Sequence, residues 1–204
     1  MLTDITYLPY NDTFAYLSTI IDAFTKQVLS YVVSDSLAID FVLETVKQLM
    51  DRHEVSLQAE TIIHSDQGCH YTSYQFIQFV KDKSLRQSMS RRGNCWDNAP
   101  QESFRGHMKD HIREKLKACT RFDEVKAIVD AYIDFYNNHR YQWDLAKLSP
   151  NEFYQFCITG VYPLDVPNKP PVPMASKPAT ELGAGIQSRD STLDASASGQ
   201  PLTE

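Results

Sequence analysis

At the start of the chain, apolar and polar positions alternate with a period of two. Met1–Tyr7, Phe14–Ile21 and Val28–Val33 each carry β-branched and aromatic residues in this rhythm, which predicts three strands. Tyr10-Asn11-Asp12 and Asp22–Lys26 are turn-like links short enough for hairpins, so an antiparallel meander is expected. The period then changes. Ala38, Phe41, Val42, Thr45, Val46 and Leu49 recur at three- and four-residue spacing, predicting an amphipathic helix over 36–53.

Thr61–His64 reads as a short buried strand. A helix follows over 73–83 with Phe76, Ile77, Phe79 and Val80 on its apolar face, and Thr72 with Gln75 resembles a capping box. Arg86–Ser90 is a short edge strand, and Arg91–Asn98 a polar basic loop. Pro100 suits the first turn of a helix running to about Lys117. A second helix covers 121–138, with Phe122, Val125, Ile128, Val129, Tyr132, Ile133 and Tyr136 on one side. Ser149-Pro150-Asn151-Glu152 opens a last short helix with both a capping box and a first-turn proline. The strand, helix, strand order implies parallel neighbours, hence a mixed α/β sheet flanked by helices.

Composition adds a boundary. Beyond Tyr162, six prolines crowd into 163–178 and large apolar residues become rare, so 1–160 is expected to be one core and 161–204 a disordered Pro/Ser/Ala-rich tail. The apolar fraction of 42% and charged fraction of 23% fit a globular domain. No apolar run is long enough to span a bilayer, and no signal pattern opens the chain, so the expected setting is cytoplasmic, with no membrane partner. Cys69, Cys95, Cys119 and Cys157 form no CxxC pair, which argues against a zinc ribbon or disulfide framework. Net charge is −6, yet Lys81–Arg121 holds 11 basic and 5 acidic residues, a local excess suited to a polyanion.

Candidate chemical groups lie within that basic stretch and upstream of it. Asp4 sits mid-strand, Asp66 just past the fourth strand, and Glu102 in the first turn of a helix. Carboxylate oxygens suit Mg²⁺ or Mn²⁺, and two such ions can activate the attacking oxygen and stabilise the leaving one in phosphoryl transfer. If strands one and four are neighbours, Asp4 and Asp66 can share an ion. Lys109 follows Glu102 by seven residues, on the same helix face, with Arg105 and Arg113 beside it. Phe104, Met108 and Ile112 would pack inward.

The ordered set Thr3-Asp4-Ile5-Thr6, Ile20-Ile21-Asp22, His64-Ser65-Asp66-Gln67-Gly68, Ser88–Ala99, Glu102-Ser103-Phe104, Lys109, Tyr136–Arg140 and Leu148-Ser149-Pro150 resembles the catalytic core of DDE transposases of the retroviral-integrase-like superfamily. More narrowly, it is similar to the second-frame transposase of a large bacterial insertion-sequence family. The resemblance spans about residues 1–156. It implies an RNase H-like fold with a mixed five-stranded sheet. It further implies an Asp4/Asp66/Glu102 triad holding two Mg²⁺ or Mn²⁺ ions, and DNA cleavage and strand transfer at transposon ends by a homo-oligomer on nucleoid DNA. Lys109 matches a basic residue expected to touch DNA, and Arg105, Arg113, Arg91, Arg92 and Trp96 are further DNA-binding candidates. The family's helix-turn-helix regions are expected upstream of the first strand.

Rival readings remain for several residues. Asp22 competes with Asp4, although an aspartate in a hairpin turn is usually structural. Asp97 and Asn98 could cap the next helix. Glu60 reads as a solvated acid. His107 and His111 have zinc-pair spacing without a third ligand. His64 either orients the acids or is hydrogen-bonded in place. Trp96 either stacks on DNA or anchors its loop. A nuclease that only hydrolyses, and a non-catalytic remnant that binds DNA or a full-length transposase, are the alternative functions.

Overall fold

A computed structural model describes residues 1–53, 61–90 and 99–173. The chain orders as β1 (Leu2–Tyr10), β2 (Thr13–Ile21), β3 (Val28–Ser34), α1 (Asp40–His53), β4 (Ile62–Ser65), α2 (Tyr74–Asp82), β5 (Arg86–Met89), α3 (Ala99–Lys117), α4 (Phe122–Asn138) and α5 (Pro150–Thr159). A 3-10 turn at Trp143–Leu145, not anticipated from the sequence, precedes α5.

The strands form one five-stranded sheet in the order β3-β2-β1-β4-β5. β1, β2 and β3 pair antiparallel, whereas β1, β4 and β5 run parallel. Asn11 and Asp12 both take positive φ, 41° and 58°. Both central residues of a type I′ two-residue hairpin need this conformation, which short polar side chains tolerate. The tight turn lets β1 run on to Tyr10, three residues beyond the expected end, where Tyr10 pairs with Thr13.

Alternation along each strand sends side chains to two separate cores. Leu8, Ala15, Leu17 and Ile21 meet Phe104, Met108, Ile112 and Leu116 of α3 and Val125, Val129 and Ile133 of α4. On the opposite face, Ile20 and Ile63 meet Phe41, Val42, Val46 and Leu49 of α1 and Phe76 and Val80 of α2. Even-numbered β1 residues such as Leu8 therefore look toward α3. Asp4 shares that parity.

Several helix details differ from the sequence expectation. α1 starts at Asp40, four residues later than the periodicity predicts. The Ser34 and Ser36 hydroxyls accept the Ser36 and Ala38 N–H groups at 3.0 and 3.3 Å, and such local bonds compete with a helical turn. Ala38 is consequently exposed before the helix. The N-cap of α2 is Ser73, whose hydroxyl accepts from Phe76 N–H at 3.2 Å. The Thr72 hydroxyl instead donates to the Gly68 carbonyl at 3.2 Å, so the expected Thr72–Gln75 box does not form. Ile77 is 43% exposed rather than on the buried face of α2.

The capping box at Ser149 and Glu152 forms as expected, and α5 ends at Gly160 in the left-handed conformation (φ 71°). Tyr162 is buried with Phe153 and Phe156, and its hydroxyl donates to the Ala146 carbonyl at 2.8 Å. Leu164 and Val166 pack partly against the same cluster, so ordered packing continues past residue 160. Residues 174–204, most of the expected tail, lie outside the described residues.

Candidate active site

The parallel register fixes which acids can meet. Leu2 of β1 stands opposite His64 of β4, and His64 N–H donates to the Met1 carbonyl at 2.9 Å. Extended by two residues, this register carries the chain past the end of β4, where Asp66 lies, toward the level of Asp4. Glu102 enters from α3, laid over that face of the sheet.

The α3 anchorage is built from a side chain that sequence reasoning missed. Gln101 is 1% exposed, and its amide donates to the Leu2 carbonyl at 2.8 Å while its oxygen accepts from the Thr19 hydroxyl at 3.1 Å. It ties the first turn of α3 to β1 and β2, immediately before Glu102. The signal was present: Gln101 lies three residues before Phe104, on the inward stripe of Phe104, Met108, Ile112 and Leu116.

Asp4 is 7% exposed. One carboxylate oxygen accepts Ile5 N–H at 2.8 Å, and the other pairs with the Arg105 guanidinium at 2.7 Å. Burial pushes the Asp4 carboxyl above its ordinary range. Arg105 and the Ile5 N–H pull it down, while the negative charges of Asp66 and Glu102 push it up. Tyr71, also unanticipated, is fully buried on the other face of β1 and shares a 3.3 Å hydrogen bond with the Thr3 hydroxyl; burial pushes its phenol well above the usual value.

Asp66 and Glu102 are exposed. Asp66 Oδ1 accepts Gly68 N–H at 2.8 Å. A Cβ at Gly68 would stand 2.9 Å from that oxygen, so a side chain here would push the Asp66 carboxylate aside. His64 shares hydrogen bonds with Ser88 Oγ at 3.1 Å and Ser90 Oγ at 2.8 Å. It therefore clamps β4 to β5 just before Asp66.

Among the described residues, no three His, Cys, Asp or Glu side chains stand close enough to hold one metal ion. The donors are nevertheless of the kind that hard divalent cations take: carboxylate oxygens, one of them desolvated beside two like charges. Arg105 supplies the cation that Asp4 faces, and the Asp66 oxygen is engaged in its turn. The residue types fit divalent ions once these two contacts rearrange.

Arg105, expected among the outward basic residues, is thus turned onto Asp4. Lys109 follows on the same face and lines an open groove of about 830 Å³ with Tyr10, Asn11, Phe14, Arg113 and Lys117. Arg113 is exposed and pairs with Asp110 at 3.4 Å. Arg91, Arg92, Trp96, Asp97, Asn98 and Glu60 lie outside the described residues. Asp22 Oδ1 accepts the Phe24 and Thr25 N–H groups at 3.0 and 2.7 Å, a turn-forming role. His111 stacks on Phe135 with ring centroids 5.2 Å apart, and His107 is exposed. Arg140 lies over the Tyr136 ring at 5.8 Å, holding the segment after α4.

Residues 1–95 and 83–150 each match the Integrase core domain family. The chain is 34% identical over 152 residues to the InsK protein of insertion sequence element IS150 from Escherichia coli K12, covering 74% of this chain and 53% of that protein. It is 34% identical over 148 residues to a transposase-like protein of Haemophilus influenzae, covering 72% and 67%. With the transposase for insertion sequence element IS904 of Lactococcus lactis the identity is 29% over 155 residues, covering 76% and 60%. The chain spans about half the length of the first of these relatives and about two thirds of the second. Among solved structures, the HTLV-2 integrase catalytic core domain in complex with magnesium aligns with a TM-score of 0.58 at 14% identity, over 75% of this chain and 93% of that one. The BIV integrase catalytic core aligns with a TM-score of 0.57 at 16% identity, over 78% and 96%.

The fold is that of retroviral integrase catalytic cores, an RNase H-like mixed sheet flanked by helices. The chain belongs to the integrase core domain family and is similar to transposases of insertion sequences. No helix among the described residues is long and apolar enough to cross a membrane.

Proposed function

We propose that this chain is the catalytic core of a DDE-type polynucleotidyl transferase that cuts and joins DNA at transposon ends. The observation that supports the reading is Asp4 buried on the α3 face of the sheet and reached by Arg105, three residues beyond Glu102, with β4 running parallel to β1 just before Asp66. Membership of the integrase-core family supports it.

Asp4, Asp66 and Glu102 would hold two Mg²⁺ or Mn²⁺ ions, with residues 1–160 as the working core. Bound there, the ions supply Lewis-acid activation of the attacking hydroxyl and charge neutralisation at the leaving oxygen. The protein's own contribution is placement. Asp4 on β1 and Asp66 just past β4 would be two of the acids, and Gln101, which anchors α3 to β1, would seat the third. Lys109 and Arg113 continue along α3 as contacts for the DNA backbone, joined by Arg91, Arg92 and Trp96. Homo-oligomers assembled on DNA would bring two ends together.

The test is a cleavage and strand-transfer assay on transposon-end DNA with Mg²⁺ or Mn²⁺. Joined products are expected from the wild-type chain and none from Glu102→Gln. Hydrolysis without joined products would favour a nuclease. Equal activity in the Glu102→Gln protein would exclude the triad.

A further inference from the structure

Arg105 stands one turn along α3 from Glu102, and its reach to Asp4 sets it apart from its neighbours. Arg113–Asp110 and Lys117–Glu114 are three-residue pairs on the helix surface, between side chains that are each more than 60% exposed. Such pairs contribute little. The Arg105–Asp4 pair instead joins two elements at 2.7 Å, with side-chain exposures of 33% and 10%. Asp4 has lost most of its water, at 7% exposure. It therefore needs a cation, and the fold provides one from its own sequence.

A divalent ion would seek the same carboxylate oxygen. A guanidinium and a divalent cation cannot both contact it without strong like-charge repulsion. One must leave. Arg105 has somewhere to go, because its side chain is one-third exposed and lies on the helix face that carries Lys109 and Arg113.

We propose that Arg105 is the resident counter-ion of the acid cluster, competing with the divalent cation for Asp4 and so setting the metal concentration at which the site fills. The inference rests on Asp4 being a metal ligand, as read above. Release of Arg105 also adds a third cation to the face where a nucleic-acid backbone would run, so filling the site strengthens that face.

The experiment is calorimetric titration of the whole chain with Mn²⁺, comparing wild type, Arg105→Gln, Arg105→Lys and Asp4→Asn. Arg105→Gln is expected to bind Mn²⁺ about tenfold or more tighter, in line with the loss of a charge-assisted hydrogen bond to a buried partner. Arg105→Lys keeps the competing charge and stays near wild type. Asp4→Asn removes the binding event. Binding by Arg105→Gln no tighter than wild type, while Asp4→Asn still abolishes it, overturns the competition and leaves Asp4 a ligand. Undiminished binding by Asp4→Asn overturns the reading of the site itself. If Arg105→Gln does not fold, the Arg105 Nε–H resonance of the wild-type chain decides. Displacement during Mg²⁺ titration, in step with ion occupancy, is expected; an unmoved resonance at saturation overturns the proposal.

Discussion

Gln101 donates its amide to the Leu2 carbonyl at 2.8 Å, which ties the residue before Glu102 to the strand that carries Asp4. One buried side chain thereby couples the seating of α3 to the centre of the sheet. Gln101→Leu keeps the bulk but takes the partner from the Leu2 carbonyl and the Thr19 hydroxyl. A loss of about 1–3 kcal/mol is expected, the usual cost of leaving buried polar groups unmade. Urea denaturation followed by circular dichroism measures it, and an unchanged midpoint would contradict the anchoring role.

Gly68 sets the Asp66 carboxylate by allowing a close approach. A methyl group at Gly68 meets Asp66 Oδ1 at 2.9 Å and must push it aside. The Gly68→Ala chain should lose strand transfer by roughly 10–100-fold, the scale on which a small misplacement of a reacting group acts. Its melting temperature should move little, because the turn is at the surface. Parallel melting and strand-transfer measurements separate the two effects.

The burial of Asp4 gives stability a defined pH dependence. Its folded-state pKa is raised above the ordinary 3.8, chiefly by desolvation. The folded chain therefore holds the proton more tightly than the unfolded chain. The cost of ionising Asp4 is absent below the unfolded value and grows as pH rises toward the folded one. Asp4→Asn, neutral throughout, should gain stability relative to wild type as pH rises through that window and hold the gain at pH 7. Denaturation at a series of pH values reads this directly; a gain that instead grows toward acid would have the wrong sign.

Lys109 follows Glu102 on the same face of α3 and opens onto the groove beside the β1–β2 hairpin. Lys109→Ala should weaken DNA binding to a similar degree for all sequences. It should also reduce the slope of log affinity against log salt by about one, as loss of a single phosphate contact does. Fluorescence anisotropy with labelled duplexes at several salt concentrations supplies the slope, and an unaltered one would remove Lys109 from the DNA path.

Much of this architecture is legible in the sequence because period and burial agree. Phe104, Met108, Ile112 and Leu116 recur at four-residue spacing and all face the sheet. Ser149 and Glu152 announce a helix start that forms as written. Where competing local bonds exist, the pattern misleads: Ser34 and Ser36 hold back α1, and Ser73 takes the cap from Thr72. Side-chain partners between distant elements leave no periodic trace. Neither Arg105 on Asp4 nor Tyr71 beneath Thr3 follows from spacing, because each depends on how two elements approach in three dimensions. The adjacency of β1 and β4 stood as a condition in the sequence and became a register, Leu2 opposite His64, only in the fold.

The central claim is that Asp4, Asp66 and Glu102 form a divalent-metal site on the α3 face. Anomalous diffraction from crystals of the chain saturated with Mn²⁺ tests it most directly. The account predicts manganese bound by the Asp4 and Asp66 carboxylates, with Glu102 turned toward it and Arg105 displaced from Asp4. Manganese bound only elsewhere, with Arg105 still seated on Asp4 at saturation, would contradict it.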